Sequence, residues 1–86
     1  MTMVIAHHEI DDSKSWLASS RREEVFGPLG ISVRTFLDPE NPNRAAVLLD
    51  VPDMGALQAL MQSEEAAEAM RQDGVRADTL VILAEA

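Results

Sequence analysis

The chain has 86 residues and a formal net charge of -8, with 7 Lys and Arg against 15 Asp and Glu. The length allows one domain, residues 1–86, which is marginally stable unless a metal, disulfides or a partner subunit adds burial. The absence of cysteine excludes disulfides and thiolate metal sites. The acidic balance argues against binding to nucleic acid or an anionic membrane. No apolar run approaches the ~20 residues of a membrane span, and residues 1–10 lack the basic start of a signal peptide, so we expect a cytoplasmic protein.

The first half of the chain predicts a strand, a helix and a second strand. Residues 3–10 are rich in β-branched side chains, which favour a strand. Asp12 or Ser13 can cap a following helix, which the two glycines and the proline of residues 26–30 must end. Residues 31–37 alternate in polarity and predict a strand. The inward stripe of the helix is predicted to comprise Trp16, Leu17 and Ser20.

The second half predicts a hairpin followed by two helices and a last strand. Residues 38–43 are dense in turn formers, and residues 44–51 are again strand-like. Asp53 can cap a second helix, and Ser63 can cap a short third helix that stops at Gly74. Residues 79–85 predict the fourth strand. The order is β-α-β-β-α-β, an α+β, ferredoxin-like plan with a four-stranded antiparallel sheet and the helices on one face.

Two of the predicted strands are apolar on both faces. In residues 44–51 apolar side chains occupy both alternating positions, and residues 80–83 repeat this pattern. The helices can cover only one face of the sheet, so the other face needs a further layer. We therefore expect a homodimer in which two sheets pack face to face about a two-fold axis.

The motif His8-x-Ile10-x-Asp12 followed by Trp16, within this order of elements, resembles the dimeric α+β barrel superfamily, which includes antibiotic biosynthesis monooxygenase-like proteins. The likeness covers the whole chain. It implies a ferredoxin-like protomer, dimerisation through the sheets and a pocket between sheet and helices for a small organic molecule. Relatives that oxidise aromatic polyketides use side chains including Tyr, which this chain lacks. Relatives that degrade haem bind iron through a His on the second helix, where this chain has none, so we predict no cofactor.

The two histidines, His7 and His8, are the candidate catalytic residues. Because they are adjacent on a strand, their side chains point to opposite faces and cannot chelate one metal within a protomer. Each is interpreted either as a structural or pocket-lining residue or as a general base that removes a proton next to a carbonyl. No constellation of side chains predicts a metal site.

The candidate ligand-binding residues are Trp16, Arg34, Phe36 and Asp50. Arg34 shares a strand face with Phe36, and it can pair with Asp50 or bind a carboxylate or enolate of a ligand. Trp16 is either a core anchor or a stacking platform. Residues 21–24, Arg-Arg-Glu-Glu, are interpreted as a solvated helix end with charges that pair three residues apart.

Three functions fit these residues. The leading hypothesis is a dimeric protein that binds a small apolar organic molecule without catalysis. The second is a cofactor-independent monooxygenase, cyclase or isomerase that acts on a carbonyl compound, with His7 or His8 as base and Arg34 holding the oxyanion. The third is a structural interaction module, which predicts a filled interior without a pocket.

Overall fold

Four strands form one antiparallel sheet in a computed structural model that describes residues 2–86. They are β1 (Thr2–Ile10), β2 (Ser32–Leu37), β3 (Arg44–Val51) and β4 (Val75–Ala84), in the order β2-β3-β1-β4. The helices are α1 (Ser13–Ala18), α2 (Arg21–Phe26), α3 (Met54–Met61) and α4 (Glu64–Gln72), with a 3₁₀ turn at Gly27–Leu29. This is the predicted ferredoxin-like plan with each helical segment divided in two. Met1, part of the predicted domain, lies outside the described residues.

The core lies between the sheet and the helices. Side chains alternate across each strand, so one face of the sheet carries buried apolar residues and packs against the helices. On the central strands β1 and β3 this face is almost wholly buried, whereas β2 and β4 lie at the edges and expose more of their side chains. The buried apolar residues of this core are Val4, Ala6, Ile10, Trp16, Ile31, Ala45, Val47, Leu49, Val51 and Leu57.

The helix caps on the second half of the chain lie where they were predicted. The Asp53 carboxylate accepts hydrogen bonds from the backbone N–H groups of Gly55 and Ala56, at the start of α3. The Ser63 hydroxyl accepts one from the Ala66 N–H at the start of α4. These bonds satisfy donors that lack a partner inside a helix, which is why the chain starts a new helix at each cap.

The single helix predicted over the first half is divided at Ser19 and Ser20. Ser19 has an extended backbone, with ψ 137°, and its hydroxyl accepts a hydrogen bond from the Arg21 N–H. Serine competes for backbone hydrogen bonds in this way and ends α1 after six residues. The break changes which side chains face the core: Trp16 is fully buried, but Leu17, predicted to point inward, is 49% exposed.

The fourth strand begins four residues earlier than predicted. Gly74, with φ 70°, turns the chain directly from α4 into β4, so that Val75 pairs with Ile10 and Arg76 with Glu9. The register then shifts at an irregularity of the β1–β4 pairing between His7 and Glu9. Residues 76–78 are polar or small, so the hydrophobic pattern gave no signal for a strand in this part of the chain.

The face of the sheet turned away from the helices, here called the open face, is apolar and exposed. Its side chains come from alternate positions of all four strands, as the register of the β1–β3, β1–β4 and β2–β3 pairs requires. Large hydrophobic side chains on this face are 42–55% exposed, namely Ile5, Phe36, Val81 and Leu83. The prediction that the strands are apolar on both faces is therefore correct, and within one chain only one of those faces is covered.

Candidate functional site

A pocket lies between the helical face of the sheet and the helices. Its cavity volume is about 90 Å³. The strands supply one wall and the four helices supply the other, and sixteen of the twenty lining residues are apolar. The polar lining residues are His8, Arg21, Arg22 and Asp73. A cavity built in this way suits an apolar molecule that carries few polar groups.

Trp16 forms the wall that contacts two of these polar side chains, His8 and Arg22. The Asp12 carboxylate caps α1 by accepting hydrogen bonds from the Lys14 N–H, at 3.2 Å, and the Ser15 hydroxyl, at 2.8 Å. This cap fixes the first turn of α1, on which the indole ring points into the core and is fully buried. Burying a tryptophan side chain stabilises a fold by roughly 3 kcal/mol or more.

His8 lies on the helical face of the sheet, inside the pocket. Its ring meets the Trp16 ring edge-on, with centroids 5.8 Å apart and an angle of 73° between the planes. The Nδ1 atom lies 3.4 Å from the backbone carbonyl oxygen of Glu9, a long hydrogen bond. Burial lowers the pKa of His8. The hydrogen bond to the Glu9 carbonyl opposes this shift, and the nearby positive charge of Arg22 adds to it. The imidazole is therefore a neutral base near pH 7, whose second nitrogen can accept a proton.

Arg22 lies over the Trp16 ring. Its guanidinium carbon is 4.2 Å from the ring centroid, a cation–π contact, and its Nη2 donates to the Trp16 carbonyl oxygen at 2.7 Å. Burial lowers the pKa of Arg22, while the adjacent Asp73 opposes this shift. The guanidinium stays charged, since arginine titrates far above physiological pH.

Asp73 holds Arg22 from the far end of α4. Its Oδ2 is 3.6 Å from Arg22 Nη1, and its Oδ1 accepts a hydrogen bond of 2.5 Å from the Ser19 hydroxyl. The side chains of Arg22 and Asp73 are 13% and 8% exposed, so the pair is largely shielded from solvent. Ser19 lies in the break between α1 and α2, and its hydroxyl donates to Asp73 at the end of α4. This hydrogen bond links the break to α4.

The prediction that residues 21–24 form a solvated helix end is correct for Arg21 and wrong for Arg22. Arg21 is exposed and pairs with Glu24 at 3.2 Å, three residues along α2. Arg22 points the opposite way, into the pocket, because the break after α1 turns α2 so that consecutive side chains face solvent and core. Arg22 follows Trp16 by six positions, whereas side chains that contact each other on one helix are three or four positions apart. Asp73 is distant from both in the sequence, so no local pattern predicts this cluster.

Of the predicted site residues, His8 and Trp16 meet in this pocket, whereas His7 and Phe36 line a second, more open cavity. His7 is on the open face, as the alternation along β1 requires. Arg34 and Phe36 also lie on the open face and away from the pocket, so Arg34 is not placed to hold a ligand beside His8. Arg22 occupies that position instead.

Asp50 is on the open face as well, but it does not pair with Arg34. In the β2–β3 register Asp50 lies opposite Ser32, and Arg34 lies opposite Leu48. The ion pairs found in the described part of the chain do not include Arg34 or Asp50. Asp50 Oδ1 is buried without a hydrogen-bond partner.

Within residues 2–86, no group of three or more His, Cys, Asp or Glu side chains is close enough to hold a metal ion. No helix in this range is both long enough and apolar enough to cross a bilayer.

Comparison with known proteins identifies the fold. No protein-family model matches the sequence, and no curated protein is significantly similar to it. A protein of Bordetella bronchiseptica, provisionally named an antibiotic biosynthesis monooxygenase, superposes with a TM-score of 0.73 at 17% identity, over 99% of this chain and 94% of that one. The chain has the fold of antibiotic biosynthesis monooxygenase-like proteins. The resemblance expected from the sequence is confirmed at the level of the fold.

Two further solved structures with the same provisional name share this fold. The protein of Nitrosomonas europaea has a TM-score of 0.70 at 10% identity, over 100% of this chain and 97% of its own. The protein of Bacteroides thetaiotaomicron has a TM-score of 0.63 at 20% identity, over 99% of this chain and 88% of its own. At such low sequence identities the likeness establishes the fold alone. The function has to be argued from the residues of the pocket.

Proposed function

We propose that the protein binds a small, apolar organic molecule in the pocket between sheet and helices. The observation that carries this proposal is the cavity itself, walled by sixteen apolar side chains and containing one cluster of polar groups beside Trp16. Ligand sites in proteins have this composition, with polar groups that orient a mostly apolar ligand. A purely structural module is expected to fill its interior, and the cavity argues against that alternative.

Tryptophan fluorescence tests the proposal, because Trp16 is the one tryptophan of the chain and lines the pocket. Six-carbon probes, hexanamide and hexanoate, are titrated against the protein. We expect a saturable change in emission with at least one probe. The variant Ala69→Phe, which places a large ring in the cavity, should abolish the response, and Ala59→Phe on the exposed side of α3 should retain it. The absence of saturable binding by both probes would contradict the proposal.

A second candidate function is general-base catalysis on a carbonyl compound, without a cofactor. It is favoured by the position of His8, a buried imidazole in the pocket with a lowered pKa. A neutral imidazole is suited to remove a proton from the carbon next to a carbonyl. The monooxygenase, cyclase and isomerase alternatives all begin with such a step.

The exchange of α-protons for deuterium measures this step directly. Acetone in D₂O loses its methyl proton signal in NMR as enolisation proceeds, and we expect the wild-type protein to accelerate that loss. His8→Gln should return the rate to that of buffer, whereas His7→Gln on the open face should leave it unchanged. Equal rates with and without the wild-type protein would exclude His8 as a base toward simple ketones.

We further propose that two copies of the chain associate through their open faces. Four large apolar side chains on this face are exposed to about half their area, and an exposed apolar surface of this kind marks an association site. The same face carries both a positive and a negative side chain, Arg34 and Asp50, neither of which has an ion-pair partner among those found in the described chain. A two-fold interface can bring such opposite charges of two copies together.

A further inference from the structure

His8 differs from the other three polar residues that line the pocket. Arg21 is exposed and pairs with Glu24. Arg22 and Asp73 face each other in the pocket wall, where their opposite charges offset one another. The side chain of His8, in contrast, forms no ion pair with the described part of the chain, and one of its two ring nitrogens has no hydrogen-bond partner there.

The backbone determines which nitrogen of His8 carries the proton. Nδ1 lies 3.4 Å from the Glu9 carbonyl oxygen, and a carbonyl oxygen can only accept a hydrogen bond. In the neutral ring Nδ1 therefore carries the hydrogen, and Nε2 carries a lone pair. Burial favours this neutral ring, because it lowers the pKa of the imidazole. His8 thus offers an acceptor at Nε2.

Nε2 of His8 is accessible from the pocket. It makes no hydrogen bond with residues 2–86, and it is not one of the fully buried atoms without a partner in that range. His8 as a whole is 8% exposed and lies on the helical face of the sheet, so the surface that it retains is pocket surface. An acceptor without a donor in an apolar cavity is costly, and a ligand that supplies the donor is stabilised there.

A hydroxyl group is the donor that suits this position. A carboxylate has no hydrogen to donate, and its charge is costly to bury in an apolar cavity. A primary amine is a cation near pH 7, and Arg22 already places a positive charge near His8. An amide donates, but it also buries a carbonyl oxygen, and the guanidinium of Arg22 is turned to Asp73 and to the Trp16 carbonyl.

We propose that the ligand is a neutral aliphatic alcohol, whose hydroxyl group donates a hydrogen bond to His8 Nε2 while its hydrocarbon part contacts the apolar walls. Most of the side chains in those walls are themselves aliphatic. This inference rests on the proposed binding function and names the chemical class of the ligand. It also makes His8 the residue that selects an alcohol over a molecule of similar size without an O–H group, since Nε2 stays unpaired when the latter is bound.

Hexan-1-ol and methyl pentyl ether form a matched pair for the test, because they are isomers and only the alcohol has an O–H group. Isothermal titration calorimetry measures the dissociation constant of each. We expect the wild-type protein to bind the alcohol at least about fivefold more tightly than the ether. Hexanoate, a six-carbon anion without a donor, should also bind more weakly than the alcohol. Ala69→Phe, which fills the cavity, should abolish the binding of both isomers.

His8→Phe should reduce the preference for the alcohol to less than about twofold, because it removes the acceptor and keeps a ring of similar size. It should still bind the ether, which shows that its pocket is intact. His7→Phe is the matched control, since it makes the same change on the open face, and it should keep the full preference. Circular dichroism spectra and thermal unfolding of each variant establish that it is folded.

Each contrary outcome has a separate meaning. Equal binding of the alcohol and the ether to the wild-type protein would overturn the selection of a hydroxyl group and leave the pocket as a binding site. A preference that survives in His8→Phe would overturn the assignment to His8. Hexanoate that binds as tightly as hexan-1-ol would overturn the neutral ligand. If the alcohol, the ether and hexanoate all fail to bind, the inference is wrong, and if hexanamide fails as well, so is the proposed function.

Discussion

The ion pair of Arg22 and Asp73 is largely shielded from solvent in the wall of the pocket. Removing the carboxylate leaves a charged guanidinium with little solvent around it, and breaking such a pair is strongly destabilising. We expect Asp73→Ala to lower the free energy of unfolding by about 3 kcal/mol in urea denaturation.

Glu68→Ala is the control for this substitution. It breaks an ion pair with Arg71 on the exposed surface of α4, where the net contribution of a pair is small, and it should leave the unfolding midpoint nearly unchanged. Similar midpoints for the Asp73 and Glu68 variants would contradict the description of Arg22 as buried.

His8 makes the stability of the protein depend on pH. Burial lowers its pKa in the folded chain below the ordinary value of 6.5, so the unfolded chain binds the proton more readily. Linkage then requires that stability falls as the pH drops from about 6.5 toward the lowered pKa, and that this contribution is constant above that window.

Thermal unfolding between pH 5 and 8 measures the dependence. We expect the wild-type protein and His7→Gln to lose stability below about pH 6.5, and His8→Gln to lose less, because its side chain cannot be protonated. Parallel curves for His8→Gln and the wild-type protein would contradict a neutral, buried His8.

At the scale of single elements, the turn between α4 and β4 depends on Gly74. Its φ of 70° is in the left-handed region, and a Cβ there would lie 3.3 Å from Asp11 Cβ. Both effects disfavour any other residue, so Gly74→Ala should lower the free energy of unfolding by roughly 1–2 kcal/mol.

Gly27→Ala is the comparison at a glycine without a positive φ. Gly27 has helical backbone angles, and apart from its two chain neighbours a Cβ there meets nothing within 4 Å. The restriction of the unfolded chain favours the alanine, whereas helical angles are disfavoured for a side chain that precedes proline, here Pro28, so the free energy of unfolding should change by less than about 1 kcal/mol. Chemical denaturation of both variants measures the contrast, and a loss at Gly27 as large as that at Gly74 would contradict the backbone geometry assigned to them.

The elements of this chain differ in how fully the sequence specifies them. The β3 strand and the starts of α3 and α4 were predicted to the residue, because alternation and caps are encoded locally. The break after α1 was missed because it depends on Ser19, whose hydroxyl bonds to Asp73, more than fifty residues away in the chain. The early start of β4 was missed because pairing with β1, and not the apolar pattern, holds residues 75–78 in the strand.

In the candidate site too, the features encoded locally were predicted and those that depend on distant contacts were missed. The opposite directions of His7 and His8 follow from the period of a strand, and the inward position of Trp16 follows from its place after a helix cap. Arg22 and Asp73 were not predicted as site residues, because their proximity arises only when α1, α2 and α4 pack together. A pair of adjacent arginines in a helix gives no sequence signal that one of them is buried.

At the scale of the whole molecule, the open face accounts for the proposed dimer. Ile5 lies on a central strand of this face and is 46% exposed, so an aspartate there would be buried without a partner if two sheets pack together. We expect Ile5→Asp to be monomeric in analytical ultracentrifugation at concentrations where the wild-type protein is dimeric. Leu17→Asp, at a similarly exposed position on α1, should remain dimeric, and dissociation of both variants or of neither would contradict the assignment of the interface.

Native mass spectrometry of the protein, mixed in turn with hexanoate and with hexanamide, tests whether the pocket of each protomer binds a small organic molecule. We expect a dimer that carries one molecule of at least one of these probes per protomer, and an Ala69→Phe dimer that carries none. A wild-type protein that retains neither probe, or no more than Ala69→Phe retains, would contradict the proposed binding.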